Sequence, residues 1–364
     1  MSPAEIQVSA QFLAAGAGGI ARCARLTIKA LEGAAQVTAL AVSDRAPEDL
    51  GAVRTRAFKG ARSAFVAANT MGALRSDWVI YDFAGTARAH RPLALAGRPY
   101  ALWAHGWEVW PGNLRADYAR AIRGAGAVFV NSRHTAARLA ESLPDLRTVH
   151  VCPLGTETET AISPSIGMRA SERRVLFVGR NDAMFAKGQD VLIAAWPDVV
   201  ARVPEAVLTF VGGGERLDHL RHLAAASPAA ASIEVLGQIG DDAVAVLYGR
   251  ARLFAMLSMV EGFGLVFVEA MSHGAPVLCA DEDASTEVNL DGETGFAVNR
   301  CDRAAIVDRI VSVLEDDALF ARLSGGAAER WATHYRFSAF RERFLAVAAD
   351  SGLLPGSAPT ARAS

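Results

Sequence analysis

Short apolar runs and longer amphipathic stretches alternate along the first half of the chain. Residues 36–43, 78–83, 99–105 and 126–132 are brief, β-prone runs bounded by polar residues or glycine, the pattern of buried strands. Between several of them, residues 20–31, 62–74 and 114–124 repeat apolar side chains at helical spacing. Residues 5–9 read as a weaker opening strand. Strands that alternate with helices imply βα units and a parallel sheet.

Residues 155–165 are polar and read as a linker. The alternation then restarts, with strands expected at 174–179, 206–211, 232–236, 253–257 and 276–280. Helices fit 189–203, 215–226, 241–248, 264–273 and 303–314, and one long amphipathic stretch runs over 326–350. Residues 351–364, rich in Pro, Ser, Gly and Ala, read as a disordered tail. The fold class is therefore α/β, with two consecutive Rossmann-like halves, 1–157 and 158–335. Ligands of open parallel sheets bind at the C-terminal ends of the strands, so a cleft between the halves is the expected active site.

Composition narrows the classes. Of 364 residues, 51% are hydrophobic and 21% charged, which suits a globular core and excludes a mostly disordered chain. A net charge of −2 argues against a nucleic-acid binder. No apolar run approaches the ~18 residues of a membrane-spanning helix. The four cysteines lie far apart, without C-x-x-C spacing, and point to a reducing cytoplasm. Charge is uneven: residues 1–157 hold 18 Lys+Arg against 12 Asp+Glu, a net of +6, which hints at an anionic partner for that half. Only Lys29, Lys59 and Lys187 are lysines.

Five segments are candidates for chemistry. In 258–271, a strand ends, a glycine turn follows and a helix opens near Gly264; its free N–H groups, with Leu265, suit an anion. Glu261 lies on the turn and Glu269 about two helical turns further on, placed to accept hydroxyl hydrogen bonds; the plain alternative is two solvated glutamates. In 178–188, Arg180 and Lys187 flank a strand–helix loop and together suit a diphosphate, or else are two solvated surface cations. His105 ends a strand, and Trp103, Trp107 and Trp110 around it offer flat faces for a sugar ring; a structural histidine is the alternative. Gly16, Gly18 and Ala21 match G-x-G-x-x-A before the first helix, the dinucleotide fingerprint or simply a tight turn. Asp281 and Asp283 match D-x-D, a metal motif that also arises in ordinary solvated loops.

Taken in order, these segments resemble the retaining GT-B glycosyltransferases of family four, the group 1 glycosyl transferases, over nearly the whole chain. Glu261-Gly-Phe-Gly-Leu-Val-Phe-Val-Glu269 reproduces the family's E-x7-E, and Ala270-Met-Ser-His-Gly-Ala-Pro-Val follows as it does there. The resemblance implies transfer of a hexose from a nucleoside diphosphate sugar, GDP-mannose or a UDP-hexose, with retention and without a metal or other cofactor. It implies that Arg180, Lys187, Gly19, Gly264 and Leu265 hold the diphosphate, Glu269 the ribose, and Glu261 and His105 the sugar. Gly18 lies in the glycine loop, and Gly213 and Gln238 border the base. Residues 336–350 would form a helix that crosses back to the first half. The acceptor would be a glycan or lipid-linked intermediate of surface polysaccharide, met on the cytoplasmic membrane face with peripheral contact to anionic lipid through clusters such as Arg88–His90–Arg91 and Arg115–Arg123. Departures are a polar opening strand, Gln7 and Ser9 within it, Ser285-Thr286 before Glu287, and Met184 and Phe185 between the two cations. Competing readings are an epimerase of the same fold, a silent binding module, and an NAD-dependent dehydrogenase, for which Asp44 is the nearest ribose-binding acid.

Overall fold

A computed structural model describes residues 3–90, 97–147, 149–160, 172–182 and 187–355. Met184, Phe185, Arg91, the second half of the 155–165 linker and residues 356–364 lie outside the described residues. The chain divides into two compact units: Met1–Glu157 with Phe337–Ser364, and Thr158–Arg336.

The first unit holds strands β1 (Ala4–Ala10), β2 (Ala35–Ala41), β3 (Arg54–Ala57), β4 (Trp78–Tyr81), β5 (Tyr100–Ala104), β6 (Ala127–Val130) and β7 (Val149–Val151). All seven are parallel, in the order β3-β2-β1-β4-β5-β6-β7. Helices α1 (Gly19–Leu31), α2 (Arg62–Ala73), α3 (Ala84–Ala87), α4 (Ala116–Arg123) and α5 (Arg133–Ser142) connect them. The polar opening strand has a physical account: Gln7 Nε2 donates to Asn69 Oδ1 at 2.8 Å, and Ser9 Oγ to the same atom at 2.8 Å. Asn69 in turn donates to the Tyr81 hydroxyl at 3.0 Å, which meets His90 Nδ1 at 3.1 Å. Every member is buried, and buried polar groups are tolerated when paired in this way.

In the second unit, β8 (Arg174–Val178), β9 (Val207–Val211), β10 (Ile233–Gly237), β11 (Leu253–Met256), β12 (Val277–Ala280) and β13 (Gly295–Val298) form a parallel sheet in the order β10-β9-β8-β11-β12-β13. Its helices are α6 (Gln189–Arg202), α7 (Leu217–Ala226), α8 (Asp241–Arg250), α9 (Leu265–Ser272), α10 (Ser285–Val288), α11 (Arg303–Glu315) and α12 (Asp317–Arg330). Arg252, fully buried, donates to Val313 O at 2.7 Å and Asp317 Oδ1 at 2.5 Å, with its guanidinium 4.5 Å over the Phe320 ring.

The expected single stretch over 326–350 is two pieces. A π-turn, Trp331–Tyr335, follows α12, the backbone becomes extended at Arg336, and α13 (Phe337–Asp350) starts anew. Helix α13 belongs to the first unit, where Phe344 stacks on Trp103 at 6.1 Å and meets Phe129 edge-on at 5.7 Å. Lys29 Nζ lies 4.4 Å from the Phe337 ring centroid and donates to Glu157 O at 2.8 Å, so this lysine is structural. Beyond α13 the chain stays packed: Leu353 and Leu354 are buried and both N–H groups donate to Ala348 O, which corrects the expected disorder for residues 351–355. Cys23, Cys152 and Cys279 are buried, and Cys301 is exposed. Among the described residues no helix is long and apolar enough to cross a membrane.

Phe344→Ala is expected to destabilise the first unit by about 3–5 kcal/mol, the usual cost of deleting a buried aromatic ring. Urea unfolding followed by tryptophan fluorescence, which Trp103 reports, measures it.

Candidate functional site

Both sheets are wholly parallel, so in each unit every strand ends on the same edge. The strand order reverses at β1/β4 in the first unit and at β8/β11 in the second. At such a point the loops after the two adjoining strands run to opposite faces of the sheet and leave a crevice.

In the second unit the crevice holds Lys187, from the segment after β8, and Glu261, from the loop after β11. Lys187 Nζ donates to Glu261 Oε2 at 2.9 Å, and both side chains are mostly buried. Gly188 makes the approach possible. It caps α6 in the left-handed region (φ 85°), and a Cβ there would stand 2.6 Å from Leu257 O. Gly264 caps α9 in the same region (φ 90°), where a Cβ would stand 2.4 Å from the Phe267 ring and 3.3 Å from Glu261 Cγ. The first turn of α9, from Leu265, therefore opens beside Glu261. No acidic residue occupies that turn, so its N–H groups keep their anion-binding character.

Glu269 sits on α9, where its Oε2 accepts from the Tyr248 hydroxyl at 3.0 Å. Tyr248 is buried and stacks on His273 at 5.4 Å, which fixes the carboxylate's bearing. Gly213 and Gln238, after β9 and β10, also meet: a Cβ on Gly213 would lie 3.2 Å from Gln238 Oε1. Arg180 is less committed. Its side chain is 73% exposed and pairs with Asp182 at 2.8 Å, so its charge has to leave that partner to reach an anion.

Asp283 is only 3% exposed rather than solvated. Its Oδ2 accepts the Glu261 N–H at 2.9 Å, and its Oδ1 the Ser285 N–H at 2.9 Å. Among the described residues no group of acids, histidines and cysteines is arranged to hold a metal.

In the first unit, His105 follows β5. Its Nε2 is 2.6 Å from Asp82 O, a carbonyl that only accepts, so Nε2 carries the proton there. Glu108 Oε1 accepts the His105 N–H at 2.7 Å. Asp82, fully buried at the end of β4, accepts from Gln11 N–H at 2.7 Å and from the Thr86 hydroxyl at 2.6 Å, bridging the β1/β4 reversal. The glycine loop follows Gln11: Gly16 and Gly18 take φ of 74° and 98°, and α1 opens at Gly19.

Three expectations change here. Trp103 and Trp110 are core residues, leaving Trp107 as the partly exposed ring of the three. Asp44 is buried and turned onto the glycine loop, where its Oδ2 accepts the Leu13 and Ala14 N–H groups at 2.8 and 3.2 Å. That use of the carboxylate removes the ribose ligand the dehydrogenase reading required. The arginine clusters are partly neutralised: Arg88 and Arg115 pair with Asp117, Arg123 pairs with Asp145, and His90 is buried.

The two Rossmann-like units, each with residues gathered at its strand reversal, define an α/β protein of the GT-B class. The family model described as glycosyl transferases group 1 matches residues 159–330. The chain is 31% identical over 268 residues to the GDP-mannose-dependent alpha-(1-6)-phosphatidylinositol monomannoside mannosyltransferase of Mycolicibacterium smegmatis, covering 67% of this chain and 70% of that protein. It is 38% identical over 159 residues to the phosphatidyl-myo-inositol mannosyltransferase of the same organism, covering 43% of this chain and 40% of that one. Among solved structures, sucrose-phosphate synthase from Thermosynechococcus elongatus aligns with a TM-score of 0.82 at 21% identity, over 97% of this chain and 100% of that one. Anabaena HepE in complex with UDP and glucose aligns with 0.80 at 18%, over 95% and 100%. The chain belongs to the group 1 glycosyl transferases, and it is a glycosyltransferase of the GT-B fold.

Burial pushes the Asp82 carboxyl up to about 7. An unfolded aspartate titrates at about 3.9. Between those values the folded state holds a proton that the unfolded state releases, so stability falls as pH rises through the window. The cost is absent below the unfolded value and complete above about 7. Asp82→Asn removes it, so the variant's melting temperature relative to wild type should rise between pH 5 and pH 8, as calorimetry at a series of pH values would record.

Proposed function

We propose that the protein is a retaining, metal-independent hexosyltransferase that uses a nucleoside diphosphate sugar and a glycan or lipid-linked acceptor. The observation that carries this reading is the Lys187–Glu261 pair at the β8/β11 reversal, beside the open first turn of α9. A cation, a helix N-terminus and a carboxylate converge there, as a diphosphate joined to a polyhydroxylated ring requires.

The bond that breaks joins the anomeric carbon to a phosphate oxygen. Negative charge grows on the diphosphate, and donors fixed in advance stabilise it without reorganisation. Lys187 and the Gly264 and Leu265 N–H groups supply that stabilisation. Arg180 joins them by exchanging Asp182 for phosphate; within the first unit, Gly18 and Gly19 lie on the glycine loop that opens α1. Glu261 binds the hexose. With Nε2–H given to Asp82 O, His105 offers Nδ1 as an acceptor for a sugar hydroxyl. Glu269, steadied by Tyr248, takes the ribose hydroxyls, and Gly213 and Gln238 border the base. The acceptor hydroxyl attacks from the face the phosphate leaves and passes its proton to that phosphate, so configuration is retained without a protein nucleophile. The donor is GDP-mannose or a UDP-hexose; the two mannosyltransferase relatives favour the first.

Lys187→Ala and Arg180→Ala should each lower turnover about 10²-fold, the loss seen on removing one preorganised donor to a developing anion. Glu269→Ala should weaken GDP or UDP binding, because the lost ribose contacts leave their partners unpaired. Nucleotide release from GDP-mannose and UDP-glucose, with calorimetric titration of GDP and UDP, tests both; turnover should persist in excess EDTA. Normal turnover in both cation variants would overturn the diphosphate assignment.

A lipid-linked acceptor fits the charge of the first unit. Residues 1–157 with 337–364 hold 18 + 3 = 21 Lys+Arg against 12 + 2 = 14 Asp+Glu, a net of +7. Each cation near an anionic bilayer contributes about 1 kcal/mol, weakened by salt. The protein should co-sediment with phosphatidylglycerol vesicles at low salt and be released at high salt; equal, negligible binding to anionic and neutral vesicles would refute the membrane contact.

A further inference from the structure

We propose that Asp283 is a positioning residue of this transfer site, whose ionised carboxylate holds the Glu261 turn so that the Glu261 carboxylate is presented to the donor's sugar. The inference rests on the reading of the Lys187–Glu261 pair given above. Three donors converge on this carboxylate: the Glu261 N–H at 2.9 Å on Oδ2, and the Ser285 N–H at 2.9 Å and hydroxyl at 2.5 Å on Oδ1. The clasp is reciprocal, because the Ala284 N–H donates back to Glu261 O at 3.2 Å. The loop after β11 and the loop after β12 are thus tied at the residue next to the sheet's reversal.

An ionised carboxylate is acceptor-only and suits three donors; a protonated one turns an oxygen into a donor that faces an N–H. The charged neighbour that acts on Asp283 is Glu261, itself paired with Lys187. The Cys279 thiol at the end of β12, pushed up mainly by burial, also feels the Asp283 charge. Burial, followed by the neighbouring Glu261, raises the Asp283 carboxyl to about 6 against the pull of its hydrogen bonds. The clasp is therefore complete above that pH and loosens as pH falls through it.

The readout is the affinity added by the sugar: GDP-mannose against GDP, and UDP-glucose against UDP, titrated by calorimetry from pH 5 to 8. In wild type this increment should grow as pH rises through about 6. In Asp283→Asn it should be about fivefold smaller at pH 7.5, the size of one lost hydrogen bond, and flat with pH, while free nucleotide binds as in wild type. The terminal phosphate of the free nucleotide also titrates in this range, but the same way in both proteins, so the comparison removes it. Ser285→Ala keeps the charge and deletes one donor to it, so it should retain the pH dependence with its midpoint moved upward. A wild-type increment flat over this range, or an Asp283→Asn protein with the wild-type increment and profile, would overturn the proposal. If wild type binds neither nucleotide, or Glu261→Ala leaves the increment intact, the site reading itself fails and this proposal falls with it.

Discussion

A parallel sheet whose strand order reverses must hold its crevice open and keep the loops around it in place, and both units meet this constraint with bonds that bridge the reversal. In the first unit the Gln11 N–H after β1 donates to Asp82 after β4. In the second, Lys187 after β8 pairs with Glu261 after β11. The candidate groups of each unit are arranged around that one bridge. His105 is fixed by the Asp82 carbonyl, the glycine loop hangs from Gln11 and Asp44, and α9 opens beside Glu261.

The two bridges differ in chemistry. The first is a buried carboxylate that accepts from backbone N–H groups and a hydroxyl and so fixes its loop. The second is an ion pair of two side chains, and a partly buried pair keeps an attraction that water would weaken. Its lysine can exchange one anion for another, which suits it to a ligand that arrives and leaves. Asp283 stands behind this second bridge in the way Asp82 serves the first: a buried acid in a loop after a strand, accepting a backbone N–H of a neighbouring loop.

Much of this was legible in the amino-acid order. Central strands such as β4, β5, β6, β11 and β12 are uninterrupted apolar runs because they are covered on both faces, whereas the central β1 carries Gln7 and Ser9, and the E-x7-E spacing places two acids on one turn and helix. Three of the four edge strands were not legible: β3 reads Arg-Thr-Arg-Ala, and β7 and β13 are three and four residues long, whereas the edge strand β10 was expected at 232–236. Helix α5 escaped for a different reason, since its amphipathic pattern, Arg133–Ser142, is short and mostly polar. Within the site, composition misled where burial decides the role. Trp103 and Trp110 look like sugar platforms and are core, while Asp283 looks like a solvated loop acid and is buried. Nor does spacing reveal that Asp44 faces backbone N–H groups, because that bond closes over 31 residues.

The cysteines have a practical consequence. Burial pushes the thiols of Cys152 and Cys279 up to about 12 and about 11, and that of Cys23 well above the ordinary range, so none offers an appreciable thiolate at neutral pH. Cys301, by contrast, is exposed, just after β13. The native sequence thus contains one natural attachment point for a maleimide dye or spin label. It lies on the second unit, two residues before α11 and after the edge strand β13, so a probe can be fixed to the folded enzyme without first rebuilding its interior.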